Sequence, residues 1–90
     1  MTLLGDNLLV SELQDDLLFN GTVVRYDQDN PYMFCKILNM SEEASKLFNL
    51  EDVVVIKRYA KEEYLPGTYF ISFKDVRGTL SMKEYLELVA

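Results

Sequence analysis

Apolar and polar positions interchange over short distances along this chain, and most apolar runs are no longer than one strand. Asn7-Leu8-Leu9-Val10-Ser11-Glu12-Leu13 begins apolar and then alternates, which predicts a first strand. Gln14-Asp15-Asp16 interrupts it, and the stretch up to Gly21 reads as a loop with apolar residues of its own, Leu17, Leu18 and Phe19. Thr22-Val23-Val24-Arg25-Tyr26 is rich in β-branched and aromatic side chains and predicts a short strand. Asp27 to Pro31 is a turn, because Asn and Asp tolerate unusual backbone angles and Pro fixes one. Tyr32 to Leu38 is the next strand. Val53-Val54-Val55-Ile56 is an unbroken apolar run, as expected of a strand covered on both faces. The turn Leu65-Pro66-Gly67 then leads into a strand at Tyr69-Phe70-Ile71-Ser72-Phe73.

Two segments have a different period. Ser41 is a good helix N-cap, and Glu42 and Glu43 suit the positive end of a helix, so one or two helical turns are expected up to about Asn49. At the end of the chain, Ser81-Met82-Lys83-Glu84 has the spacing of a capping box. Met82, Tyr85, Leu86 and Val89 then fall on one helical face, although Tyr85 to Ala90 also alternates loosely enough for an edge strand. About five closely spaced strands predict a mainly β fold: a small, irregular, partly open β-barrel with a short helical insertion and, on one reading, a C-terminal helix.

Ninety residues make a single domain, 1–90, with a flexible loop expected around residues 14–22. Apolar residues make up 49 % of the chain, enough for a folded protein, but a domain of this size has a thin core. No apolar stretch approaches the roughly 20 residues of a membrane helix, and Met1 to Asp6 has no positive region or signal-peptide core. A lone Cys35 cannot form an internal disulfide, and together these features predict a cytoplasmic protein.

The net charge of -6 argues against general binding to nucleic acid, whose phosphates call for a basic surface. Residues 1–56 hold ten acidic and three basic side chains, and residues 57–90 hold five and six. Such an asymmetry suits head-to-tail packing of identical subunits. Catalysis finds little support. There is no histidine, Cys35 sits mid-strand as core filler, and the four isolated glycines form no phosphate loop. The adjacent carboxylates Asp15-Asp16, Glu42-Glu43, Glu51-Asp52 and Glu62-Glu63 read as solvated charge, since neighbours on a strand face opposite ways. No metal site and no cofactor are expected. Lys57, Arg58, Tyr59 and Lys61 interleave basic and aromatic side chains in the manner of single-strand-binding barrels, but Glu62-Glu63 beside them weakens that reading.

Three stretches together resemble the small co-chaperonins of the GroES type, heptameric β-barrel lids that cap a chaperonin ring. Leu3-Leu4-Gly5-Asp6-Asn7-Leu8-Leu9-Val10 is similar to that family's opening segment, Glu51 to Ala60 resembles its middle one, and Ser81 to Val89 is similar to its end. The resemblance implies a mobile loop with an apolar hook at Gly21, Thr22, Val23 and Val24, and a chaperonin ring as partner. It further implies a homo-oligomer, a heptamer in the family, joined through Leu8, Leu9 and Val10 of one subunit and Leu86, Leu88 and Val89 of the next. The chain departs from the pattern at Thr22, where the family has an apolar residue, and in the helix-like Ser41 to Phe48. It departs again in extra residues around Lys61 to Gly67. A second alignment matches Tyr69 to Gly78 to the family's last strand and leaves residues 79–90 as an added helix. Divergence of this kind suits a bacteriophage-encoded form. The readings carried forward are a co-chaperonin-like lid, a structural or adaptor protein such as a phage assembly component, and a small nucleic-acid-binding barrel.

Overall fold

Leu8 and Val10, alternate positions of the first apolar segment, are both fully buried, because the strand that carries them lies inside a sheet. The computed structural model describes residues 1–90. Strand β1 (Asn7–Leu13) pairs antiparallel on one side with β4 (Tyr32–Met40) and on the other with β7 (Thr68–Ser72). β4 continues to β5 (Val53–Lys57) and then β8 (Val76–Leu80), and β7 pairs with β6 (Glu62–Leu65). The sheet order is therefore β6-β7-β1-β4-β5-β8, with β6 and β8 as open edges. The short strands β2 (Leu17–Phe19) and β3 (Thr22–Val24) form a separate two-stranded ribbon. The mainly β class and the short helical insertion expected from the sequence are present, the C-terminal choice between helix and strand falls to a helix, and the sheets do not close into a barrel.

Strand parity sends apolar side chains to two clusters. Leu8 and Val10 of β1, Met33, Cys35 and Ile37 of β4, Val54 and Ile56 of β5, and Ile71 of β7 form the larger core. Val53 points the other way, and packs with Leu17 and Tyr85 in a smaller cluster bordered by Leu13, Phe34 and Leu80. This is why the run Val53 to Ile56 carries no polar position: both of its faces are covered.

Helical content is smaller than expected in one place and settled in another. The Ser41 hydroxyl accepts from the Ala44 amide at 3.1 Å, but only one 3-10 turn follows, Ala44–Lys46, and the residue at its N-cap position is Glu43, not Ser41. The single buried apolar residue of that turn, Ala44, seals the larger core. At the other end the capping box forms, with the Ser81 hydroxyl accepting from Glu84 N and the Glu84 carboxylate from Ser81 N. It starts helix α1 (Met82–Leu88), which excludes a strand at that position. Tyr85 is buried with Met82, Leu88 and Val89 around it, whereas Leu86, expected on the inner face, is exposed. No helix is long and apolar enough to cross a membrane.

Candidate protein-binding hairpin

The ribbon owes its shape to Asn20-Gly21. Both residues have positive φ, 49° and 79°, as in the two-residue turns whose twist matches that of paired strands. Glycine adopts this region freely and asparagine tolerates it. The turn sets the register Phe19 opposite Thr22, Leu18 opposite Val23, and Leu17 opposite Val24. Parity then places Leu18 and Val23 on one face of the ribbon.

The base of the hairpin is tied to the rest of the molecule from several directions. Leu17 is buried against Val53 and Tyr85. The Tyr85 hydroxyl donates to Asp15 Oδ2 at 2.9 Å, and burial together with this carboxylate raises the phenol above its ordinary pKa. The Ala90 amide donates to the Asp16 carbonyl at 2.9 Å, and Val89 forms a bridge with Leu17. On the returning arm, the Tyr26 amide donates to Asp16 Oδ1 at 2.7 Å, and the Tyr26 hydroxyl to Glu12 at 2.8 Å.

Glu12 and Arg58 form the adjoining ion pair, 2.6 Å apart, with side chains 7 % and 18 % exposed. Burial acts to raise the Glu12 pKa, but the hydrogen bonds from Arg58 and Tyr26 and the guanidinium charge outweigh it and hold the carboxyl below its ordinary value. Arg58 also donates from Nε to the Asn30 carbonyl at 2.8 Å, which ties the turn after the hairpin to the same anchor. The basic and aromatic segment is thus largely occupied within the fold. Lys57 lies over the rings of Tyr32 and Tyr59, Lys61 lies over Tyr69, and Arg58 faces Glu12.

Above this base the hairpin is apolar and open. Leu18, Phe19, Val23 and Val24 are 42, 39, 49 and 43 % exposed. The candidate hook Gly21, Thr22, Val23 and Val24 therefore lies together on an exposed element, within an ordered hairpin and not a simple loop. The candidate interface residues separate. Leu8 and Val10 are in the core, Leu9 is half-buried, and β4 and β7 occupy both edges of their strand. Leu88 and Val89 turn inward beside Tyr85, and Leu86 faces out. The terminal strand pairing implied by the resemblance has no free strand on either side, because one strand is central and the other segment is helical.

Leu18, beside Val23 on one face, and Phe19, on the other, extend the exposed apolar surface of the hairpin beyond the predicted hook. The signal that identifies them is Asn20-Gly21 between two apolar runs, a strong short-range mark of a hairpin. Cys35 is fully buried, and burial, with the nearby Glu12 charge, pushes its thiol up to about 12. No three His, Cys, Asp or Glu side chains group as a metal would require.

These features define a small open-sheet protein that presents an apolar hairpin on a hydrogen-bonded, ion-paired base. No protein-family model matches the chain, and no curated protein or solved structure matches it.

Proposed function

We propose that the chain is a protein-binding module, a structural or adaptor subunit that docks on a partner protein through the apolar surface of the β2–β3 hairpin. The observation that carries this reading is the joint exposure of Leu18, Phe19, Val23 and Val24 on one short, anchored element. Apolar side chains displayed together mark contact surfaces more often than scattered ones do. Each is already about half covered, so completing its burial contributes about 1 kcal/mol. The two that share a face, Leu18 and Val23, give about 2 kcal/mol before the cost of association, and a partner that wraps both faces gains about twice that, so a single hairpin binds modestly and gains from repetition.

A co-chaperonin-like lid is the second reading, with Gly21 to Val24 as the hook and a chaperonin ring as partner, and the exposed valines favour it. That form needs several joined copies to multiply a weak contact. The occupied edges of β1 and the helix at residues 82–88 supply no terminal strands for that junction, so the adaptor reading stands first. The nucleic-acid reading loses Arg58 to Glu12.

The test is a photo-crosslinking side chain at position 18, compared with one at the isolated exposed Leu47, followed by titration of the identified partner in purified form. Leu18→Ser combined with Val23→Ser is expected to abolish binding with little change in fold. A purified partner that holds the double variant as tightly as the parent would refute the reading. Parallel titration of purified chaperonin rings distinguishes the lid form from the adaptor.

A further inference from the structure

The fold has four strand edges that lack a neighbour in the sheets, and three are protected. β6 carries Glu62 and Glu63 and is broken by a register shift between Glu63 and Leu65. β8 places Arg77 at an irregularity opposite Val55 and Ile56. Charges and bulges of this kind discourage pairing along a sheet edge. The outer edge of β2 is met by Val89 and Ala90. The outer edge of β3 has none of these devices: Thr22, Val23 and Val24 are uncharged, exposed and regularly paired with β2.

The direction of the free backbone groups follows from the turn. In a two-residue hairpin, the residues flanking the turn, Phe19 and Thr22, form the hydrogen-bonded pair. Alternation then turns the amide and carbonyl of Val23 away from β2, at the middle of the open edge. We propose that this edge pairs with the β3 edge of a second copy of the chain, antiparallel across a two-fold axis at Val23. Val23 meets Val23 of the second copy and the two exchange both backbone hydrogen bonds, Thr22 meets Val24, and Gly21 meets Arg25. The strand is self-complementary in this register. The exposed Arg25 side chain, loosely paired with Asp16 at 3.7 Å, comes opposite glycine and not opposite its own like charge. The β6 and β8 edges could not do this with themselves, since glutamates would face glutamates on β6 and arginines would crowd on β8.

The resulting ribbon runs β2-β3-β3-β2, with Leu18, Val23, Val23 and Leu18 in a row across one face. Edge pairing uses backbone groups and leaves that face free, so it rests on the binding reading above and doubles the surface offered to the partner. An edge of three residues buries well under the roughly 1,200 Å² of a stable interface, so the dimer is weak and forms only as concentration rises.

Sedimentation velocity over roughly 10 µM to 1 mM tests this. The mass is expected to rise with concentration from one chain towards two and to stop there. Val23→Pro removes the outward amide without breaking a β2–β3 hydrogen bond, and is expected to remain monomeric with an unchanged circular dichroism spectrum. A second measurement does not depend on that variant folding. Val23→Cys is expected to cross-link to its own copy under mild oxidation, since directly opposed residues lie about 5.5 Å apart, within disulfide range. Leu65→Cys on the β6 edge is expected not to cross-link. A constant monomer mass, growth beyond two chains, or equal cross-linking at both positions overturns the proposal. The double serine variant, read against a purified partner, tests the binding reading separately, because a monomer that still binds through Leu18 overturns the pairing alone.

Discussion

Replacing Arg58 with alanine leaves the Glu12 carboxylate, 7 % exposed, without its cationic partner. Truncating one member of a buried pair costs about 3 to 5 kcal/mol, most of it the penalty of an uncompensated charge. The Tyr26 hydroxyl, which still donates to Glu12, moderates this, and loss of the Arg58 bond to the Asn30 carbonyl adds to it. A net loss of about 3 kcal/mol is expected, from a total of about 5 to 13 kcal/mol for a domain of this length. The melting temperature falls by about 15 °C.

The pH dependence identifies the cause. In the parent protein the folded pKa of Glu12 lies below the ordinary 4.5, so its contribution is complete above the unfolded value and is lost as pH falls through the folded one. In Arg58→Ala the guanidinium's hydrogen bond and charge are gone while burial still opposes ionisation, so the folded carboxyl titrates higher than in the parent and acid relieves part of the penalty. The stability gap between the two proteins is therefore widest near neutrality and narrows as pH drops towards about 4. Urea unfolding of both proteins at several pH values measures it, with Glu12→Gln combined with Arg58→Ala as the control that removes the pH dependence. A gap below about 1 kcal/mol at neutral pH, or one that acid does not change, would refute the reasoning.

Gly21→Ala forces a side chain into positive φ, where no neighbouring atom stands in its way, so the cost is conformational alone. It is expected to lower stability by about 1 kcal/mol in thermal unfolding, and no change would show that the turn relaxes freely. Cys35 is expected to react with a thiol reagent only at the rate of global opening, since the thiol is fully buried and its pKa raised to about 12. Reaction in native buffer as fast as in urea would contradict that burial.

The strands β1, β4, β5 and β7 are legible in the sequence because each buries a face, and burial imposes a pattern on the side chains. β6 escapes notice because all four of its residues are exposed, so nothing selects an inside and an outside. β8 does alternate, with Arg77 and Thr79 out, but Gly78 in its middle interrupts the apolar positions. β2 is three residues long and is held by Thr22 to Val24 and by Leu17 packing under Tyr85, which lies far along the chain. The same distant contact decides the C-terminus. The capping box is legible in the sequence, but the choice between helix and strand is made by Tyr85, which the helix buries against Leu17 and Val53. For the candidate site, the exposed valines could be named from the sequence. Their partners Leu18 and Phe19 required the geometry of the Asn20-Gly21 turn.

The central place of β1 has a consequence for how the protein is made. This strand leaves the ribosome well before one of its two neighbours, β7, which emerges only with residues 68–72. Until then Leu8 and Val10 sit on a half-finished edge, and the nascent chain has no complete core to enclose them. Such long-range antiparallel order places folding towards the slower end for small domains, milliseconds to seconds. The growing chain is most exposed to aggregation or to chaperone capture until β7 has emerged to complete the sheet.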